Sequence, residues 1–350
     1  MPEPMNSPHS VNWLKRRRIA YRPGRRAVLR TAVLVGAGGV GALAAAASGA
    51  SGAAATLGTR GASPAASGHD RGQPTFVLVH GANGNAASFA PLVTALAADG
   101  HRAMAVDLPG HGPDGNFPSS YQAPQDLAAF ATAPSTVLSA TTLADNARHV
   151  VRVVRRAARN GPVILVGHSM GGATITQVAN RVPELIERLI YLSAFCCVRL
   201  RSVLDCYLTP EGASTLVPGI PSVEVPEELG ISRTNWRSAD PEFLAAAKAA
   251  LAADYSDAAF LAVLNTFEPD EAAAVSTDDA RGHRAAWGRI PRTYVRYTQD
   301  RAIPLALQDR MIAEADAATP GNPFVVRSLH APHLGPEDPR HLASVLTAQY

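Results

Sequence analysis

The sequence is poor in residues that several kinds of protein depend on. It has three cysteines in 350 residues, Cys196, Cys197 and Cys206, too few for a disulfide framework. One bridge from Cys206 to Cys196 or Cys197 is compatible with that count, and so are buried free thiols. Lysine occurs only at Lys15 and Lys248, and aromatic residues make up 6% of the chain. No His/Asp/Cys cluster has ligand spacing, so no metal is expected. Acid is nearly missing from residues 1–60, where Glu3 stands alone against nine Lys and Arg for a net +8; the whole chain carries +3, which leaves the remainder at −5. A mildly acidic body lacks the clustered positive charge that nucleic-acid binding requires. There is no internal repeat.

What is present begins with a basic, twin-arginine stretch, Gly24-Arg25-Arg26-Ala27-Val28-Leu29-Arg30. Ala32-Val33-Leu34-Val35 and a long Ala/Gly run follow, with small residues at Ala53-Ala54-Ala55 that suit cleavage. Residues 1–55 therefore resemble a twin-arginine export signal, and the mature protein is expected outside the cytoplasm, secreted, with no stable membrane association. A retained anchor is the competing reading, weakened by the low apolarity of Ala and Gly. Gly36-Ala37-Gly38-Gly39-Val40-Gly41 imitates a dinucleotide-binding turn. It fails as one, because the first acid downstream is Asp70 and no second strand follows. Residues 56–73 read as a flexible Ala/Gly/Ser linker. The remainder, 74–350, reads as one domain, since the chain is 47% hydrophobic and 17% charged, enough for a sizeable core.

From Thr75 onward, apolar tetrapeptides alternate with helix-length segments. Strands are expected at 76–79, 103–106, 163–166, 189–192, 293–297 and 324–326, with helices at 86–98 and 143–158. Continuous apolar strands separated by helices indicate an α/β fold, a mostly parallel, doubly wound sheet covered on both faces. The interval 198–289 breaks the alternation with prolines, helix-like pieces (240–253 and 256–265) and aromatics, and reads as a helical cap inserted before the last two strands.

The apolar run Val163-Ile164-Leu165-Val166 stops at Gly167-His168-Ser169-Met170-Gly171-Gly172. A strand that ends at Gly-x-Ser-x-Gly and opens a helix forces the serine onto a strained turn with its hydroxyl exposed above the sheet. The glycines remove Cβ atoms where strand and helix pass closely. A serine hydroxyl needs a base, itself held by a third group. Asp300 falls at the end of the 293–297 strand and His330 just past the last one, and the order Ser169, Asp300, His330 is that of this elbow architecture. His330 is expected as the base and Asp300 as its orienting acid. His333 is the competitor if the last strand ends later. His168 is expected to pack, His341 to lie on the surface, Asp205 to belong to the cap, and Asp107 to shape a turn. The backbone N–H groups of Met170 and Ala82 are expected to form an oxyanion hole.

With HGA at 80–82, DLPGHG at 107–112, GHSMGG at 167–172, QD at 299–300 and HAPHL at 330–334, the chain resembles the α/β-hydrolase superfamily. YLSAF at 191–195, with Gln308 and Met311-Ile312 after Asp300, resembles the branch of plant methyl esterases and hydroxynitrile lyases. The resemblance implies an α/β-hydrolase fold and a serine esterase acting on a small-molecule ester without a cofactor. It leaves the substrate pocket to residues such as Asn83, Phe195 and Tyr207, Asn83 making one wall polar. Cyanohydrin cleavage is disfavoured, since the one lysine past Lys15 is Lys248, in an Ala-rich helix. A lyase or perhydrolase on the same triad, or a silent binding protein of the same fold, are the alternatives. Oligomeric state is not legible.

Overall fold

In a computed structural model, residues 72–348 are described; residues 1–55, expected to be an export signal, and all but the last two of residues 56–73, expected to be a linker, lie outside them. Eight strands and ten helices follow one another. β1 (Thr75–Val79), α1 (Ala90–Ala98), β2 (Arg102–Val106), α2 (Leu127–Thr132), α3 (Leu143–Ala157), β3 (Val163–Ser169), α4 (Gly171–Ala179) and β4 (Arg188–Ala194) build the first part. The insertion holds α5 (Val203–Tyr207), β5 (Ile231–Arg233), α6 (Pro241–Leu251), α7 (Asp257–Leu264), β6 (Asp270–Ala272) and α8 (Ala273–Thr277). β7 (Arg292–Tyr297), α9 (Leu305–Ala318), β8 (Val325–Leu329) and α10 (Pro339–Thr347) complete the domain.

The main sheet has the order β2-β1-β3-β4-β7-β8, and each neighbouring pair is parallel. Its central strands are buried on both faces, as their unbroken apolar sequences require. α3 starts at a Thr142/Asp145 capping box and turns Ala147, Val150, Val151 and Val154 inward, the face its sequence periodicity marks. The expected strands and helices are all present. The short antiparallel β5–β6 pair within the cap was not expected: three-residue strands, one of them Asp-Glu-Ala, carry no period-2 signal. Cap aromatics Trp236, Phe243, Tyr255, Phe260 and Phe267 form a separate apolar cluster. That cluster also takes in Ala302 and Leu334, from the loops after β7 and β8, so the cap rests on those loops.

At the elbow, α4 begins so close to the sheet that side chains are excluded. A Cβ on Gly172 would lie 2.4 Å from the Phe195 carbonyl oxygen, and one on Gly171 would lie 2.5 Å from those of Val79 and His80.

Candidate active site

Ser169 occupies the strand-to-helix turn with φ of +52°, a left-handed backbone that a serine adopts only at a cost. The ladder between β3 and β4 shifts register between His168 and Ser169, and the Phe195 N–H donates to the Ser169 carbonyl at 3.0 Å. Strand pairing thus holds the turn on one side and the helix start holds it on the other.

The imidazole against this serine is that of His333. Its Nε2 is 3.0 Å from Ser169 Oγ, and its Nδ1 is 2.7 Å from Asp300 Oδ2. Asp300 is deeply buried and fully engaged. Its Oδ1 accepts the Ala302 and Ile303 N–H groups at 2.7 and 2.8 Å, and its Oδ2 also accepts the Ser193 hydroxyl at 2.5 Å. An ionised carboxylate with these donors stays in place and requires a proton on His333 Nδ1, leaving Nε2 as acceptor for the serine hydroxyl.

His330 is exposed and makes no contact with Ser169, which corrects the sequence expectation. Beyond β8 the chain continues to pair: the Thr298 and Gln299 N–H groups donate to the carbonyls of Leu329 and Ala331 at 2.9 and 3.1 Å. The paired backbone therefore lasts two residues beyond β8, well past the apolar run at 324–326. Ala331 is buried in the core and half-buried Leu329 packs against the same cluster, so alternation sends His330 the other way. The chain leaves the sheet only after Ala331, and His333 is the residue it brings over the serine. β8 is an edge strand with half-exposed positions, which removes the hydrophobic signal that would have fixed its end.

His168 has a supporting position. Its Nε2–H donates to the His333 carbonyl at 2.8 Å, and burial, reinforced by the neighbouring His333, lowers its pKa to about 3. Ser193, which the sequence reading passed over within YLSAF, holds Asp300 from an unusual φ of +35°. A serine at a strand end beside the expected acid was the available signal. Asp205 caps α5 with Ser202, Asp107 accepts the Ala86 N–H at 2.7 Å, and His341 lies exposed on α10.

The Gly81–Ala82 peptide borders the nucleophile: a Cβ on Gly81 would fall 3.2 Å from Ser169 Oγ. His80 orients it. The Leu108 N–H donates to His80 Nε2 at 3.1 Å, so the proton sits on Nδ1 and is donated to the Gly81 carbonyl at 2.8 Å. Burial lowers the pKa of His80 to about 4, which keeps this neutral arrangement at ordinary pH. Among the described residues neither the Ala82 nor the Met170 N–H donates to a protein acceptor.

The expected pocket residues fare differently. Asn83 sits at φ +56° as the third residue of a turn closed by the Gly84 N–H on the Gly81 carbonyl at 3.3 Å, a position that favours Asn. Its amide nitrogen donates to the carbonyl of Glu268 at 2.9 Å, so it ties this loop to the cap. Phe195 is a core side chain at 1% exposure, packed edge-to-face on half-buried Tyr207 with ring centroids 5.1 Å apart. No group of acidic, histidine or cysteine side chains able to hold a metal occurs among the described residues. Cys197 and Cys206 are buried free thiols with sulfurs 3.7 Å apart.

The sequence profile of the alpha/beta hydrolase family matches residues 76–343. A pyrethroid hydrolase of Sphingobium wenxiniae is 30% identical over 263 residues, covering 73% of this chain and 80% of its own. An alpha-hydroxynitrile lyase of Arabidopsis thaliana is 27% identical over 238 residues, covering 65% of this chain and 80% of that one. In three dimensions, the crystal structure of a pyrethroid hydrolase from Sphingobium faniae superposes with a TM-score of 0.60 at 26% identity, over 80% of this chain and all of that one. On fold, sequence profile and relatives together, the chain belongs to the alpha/beta hydrolase family and is a carboxylic ester hydrolase.

Proposed function

We propose that the protein cleaves carboxylic esters of small molecules through an acyl-enzyme on Ser169, with His333 as general base and then general acid and Asp300 as its orienting carboxylate. The observation that carries this reading is the continuous chain Ser169 Oγ to His333 Nε2 at 3.0 Å and His333 Nδ1 to Asp300 Oδ2 at 2.7 Å.

As Oγ forms its bond to the ester carbonyl carbon, its proton passes to His333 Nε2, and Asp300 stabilises the resulting imidazolium. Negative charge gathers on the carbonyl oxygen, where the Ala82 and Met170 N–H groups are the donors at hand. Collapse breaks the bond to the alcohol, which leaves with the proton from Nε2. Water, deprotonated by the same nitrogen, then attacks the acyl carbon and frees the acid and Ser169. The step needs no group beyond these side chains and water.

The test is hydrolysis of a graded ester panel, from short acyl esters to a pyrethroid, by the purified protein beside Ser169→Ala. Turnover that survives the substitution would reject the acyl-enzyme. Inclusion of the pyrethroid follows from the relatives above. Export is the second part of the proposal: the twin-arginine stretch supports it, and an Arg25→Lys, Arg26→Lys double variant is expected to remain in the cytoplasm. Unchanged appearance outside the cell would refute that route.

A further inference from the structure

The cap segment Glu268-Pro269-Asp270-Glu271-Ala272 carries three carboxylates in five residues. In the fold all three carboxylates are buried, with Glu268, Asp270 and Glu271 at 2%, 1% and 7% exposure. Burying a carboxylate is costly unless it is paired and hydrogen-bonded. Asp270 is matched by Arg233 through two bonds of 2.6 and 2.7 Å. Among the described residues neither Glu268 nor Glu271 pairs with an arginine. They reach across to the main-domain loops after β1 and β2, the first of which borders Ser169.

Glu271 Oε2 accepts the N–H of Asn83 at 2.9 Å. Glu268 Oε1 accepts the Gly112 N–H at 2.6 Å and the Asn85 amide at 2.8 Å. The Glu268 N–H donates to the Asn83 carbonyl at 2.9 Å, while the Asn83 side chain donates back to the Glu268 carbonyl. Between the two carboxylates lies buried His111, with Nδ1 3.4 Å from Glu268 and Nε2 3.7 Å from Glu271. Burial opposes charge on this ring, but the two carboxylates outweigh it and raise its pKa to about 10. A cation thus neutralises one of the two buried charges.

We propose that Glu271 and Glu268 are positioning residues, a clasp from the cap that locks the Gly81–Ala82–Asn83 turn so that the Ala82 N–H faces the reacting carbonyl oxygen at Ser169. Three features carry it. The two peptides flanking Ala82 are each fixed by a separate group: Gly81–Ala82 through its carbonyl by His80, and Ala82–Asn83 through its N–H by Glu271. Ala82 itself has no side chain able to fix its own conformation. The left-handed Asn83, at φ +56°, is held by backbone and side chain from one segment of the cap. An oxyanion donor acts only when it is aimed at the developing charge, so a preorganised loop raises turnover more than it tightens substrate binding. The proposal rests on the acyl-enzyme reading above.

The test compares full-length wild type with Glu271→Ala, Glu271→Gln and Asn83→Gly. Loss of the acceptor in Glu271→Ala is expected to lower kcat by about 10- to 100-fold with KM within about threefold. Glu271→Gln keeps an oxygen for the Asn83 N–H and is expected to recover most of kcat. Asn83→Gly, which tolerates the positive φ and leaves no buried charge unpaired, is expected to lose several-fold in kcat even if Glu271→Ala does not fold. Hydrogen exchange of the peptide spanning residues 80–84 should quicken at least tenfold in Glu271→Ala and Asn83→Gly, and this readout does not depend on activity. An active wild type whose variants keep kcat within twofold, or change KM alone, overturns the clasp, as does unchanged exchange. Absence of ester turnover in wild type overturns the acyl-enzyme reading, while exchange still decides the clasp.

Discussion

Replacing His333 and His330 separately by alanine tests the central geometry. His333 contacts Ser169 Oγ and Asp300 Oδ2 at once, at 3.0 and 2.7 Å. Its removal therefore leaves the serine without a base and the buried Asp300 without its partner. His168, the imidazole packed beside it, cannot take over, because it spends its Nε2 on the residue-333 carbonyl and is held neutral down to about pH 3. Positioned acid–base catalysis contributes about 10²- to 10⁴-fold, and loss of a whole triad member can cost about 10⁶-fold. We expect His333→Ala to lower kcat/KM by at least about 10⁴-fold, about 5.5 kcal/mol of transition-state stabilisation. His330 is exposed, so His330→Ala should stay within about twofold. The assay is steady-state hydrolysis of the best ester of the panel, with thermal melts to show that both variants fold. Loss of activity in His330→Ala with retention in His333→Ala would refute the reasoning.

Asp300→Asn should cost about 10⁴-fold in kcat, since an amide no longer selects the Nδ1–H tautomer of His333; a loss under tenfold would exclude Asp300 from the relay. Stability should peak near neutral pH, as thermal melts across pH can show. His80 and His168 have folded pKa values depressed from 6.5 to about 4 and about 3, so the stability tied to their neutral forms is present above pH 6.5 and lost as pH falls, on the order of 3 kcal/mol for His80 alone. His111 is raised from 6.5 to about 10; its contribution is complete below pH 6.5 and disappears as pH rises through about 10, and His111→Gln should flatten that alkaline limb. Gly172→Ala puts a Cβ 2.4 Å from the Phe195 carbonyl oxygen and should destabilise by at least about 1–3 kcal/mol in denaturant melts; an unchanged midpoint would mean that the elbow yields easily. If oxidation forms a bridge, peptide mapping should find Cys197 joined to Cys206, whose sulfurs are 3.7 Å apart, with Cys196 left reduced.

The sheet, the elbow and the acid are legible in short stretches of residues. Apolar tetrapeptides between helices, a Gly-x-Ser-x-Gly turn after one of them, and an aspartate at a later strand end are local signals, written in adjacent residues that also make the contacts. Where a strand stops and which surfaces meet are set by packing between distant segments. β8 lies at the sheet edge, where half-exposed positions blur the hydrophobic pattern, so the choice between His330 and His333 waited for the pairing of Gln299 with Ala331. Nothing near Asn83, Glu268 and Glu271 in sequence shows their partners: Asn83 and Glu271 meet across 188 positions. A carboxylate's burial is a property of the packed molecule, and pairing by folding is what makes such burial tolerable.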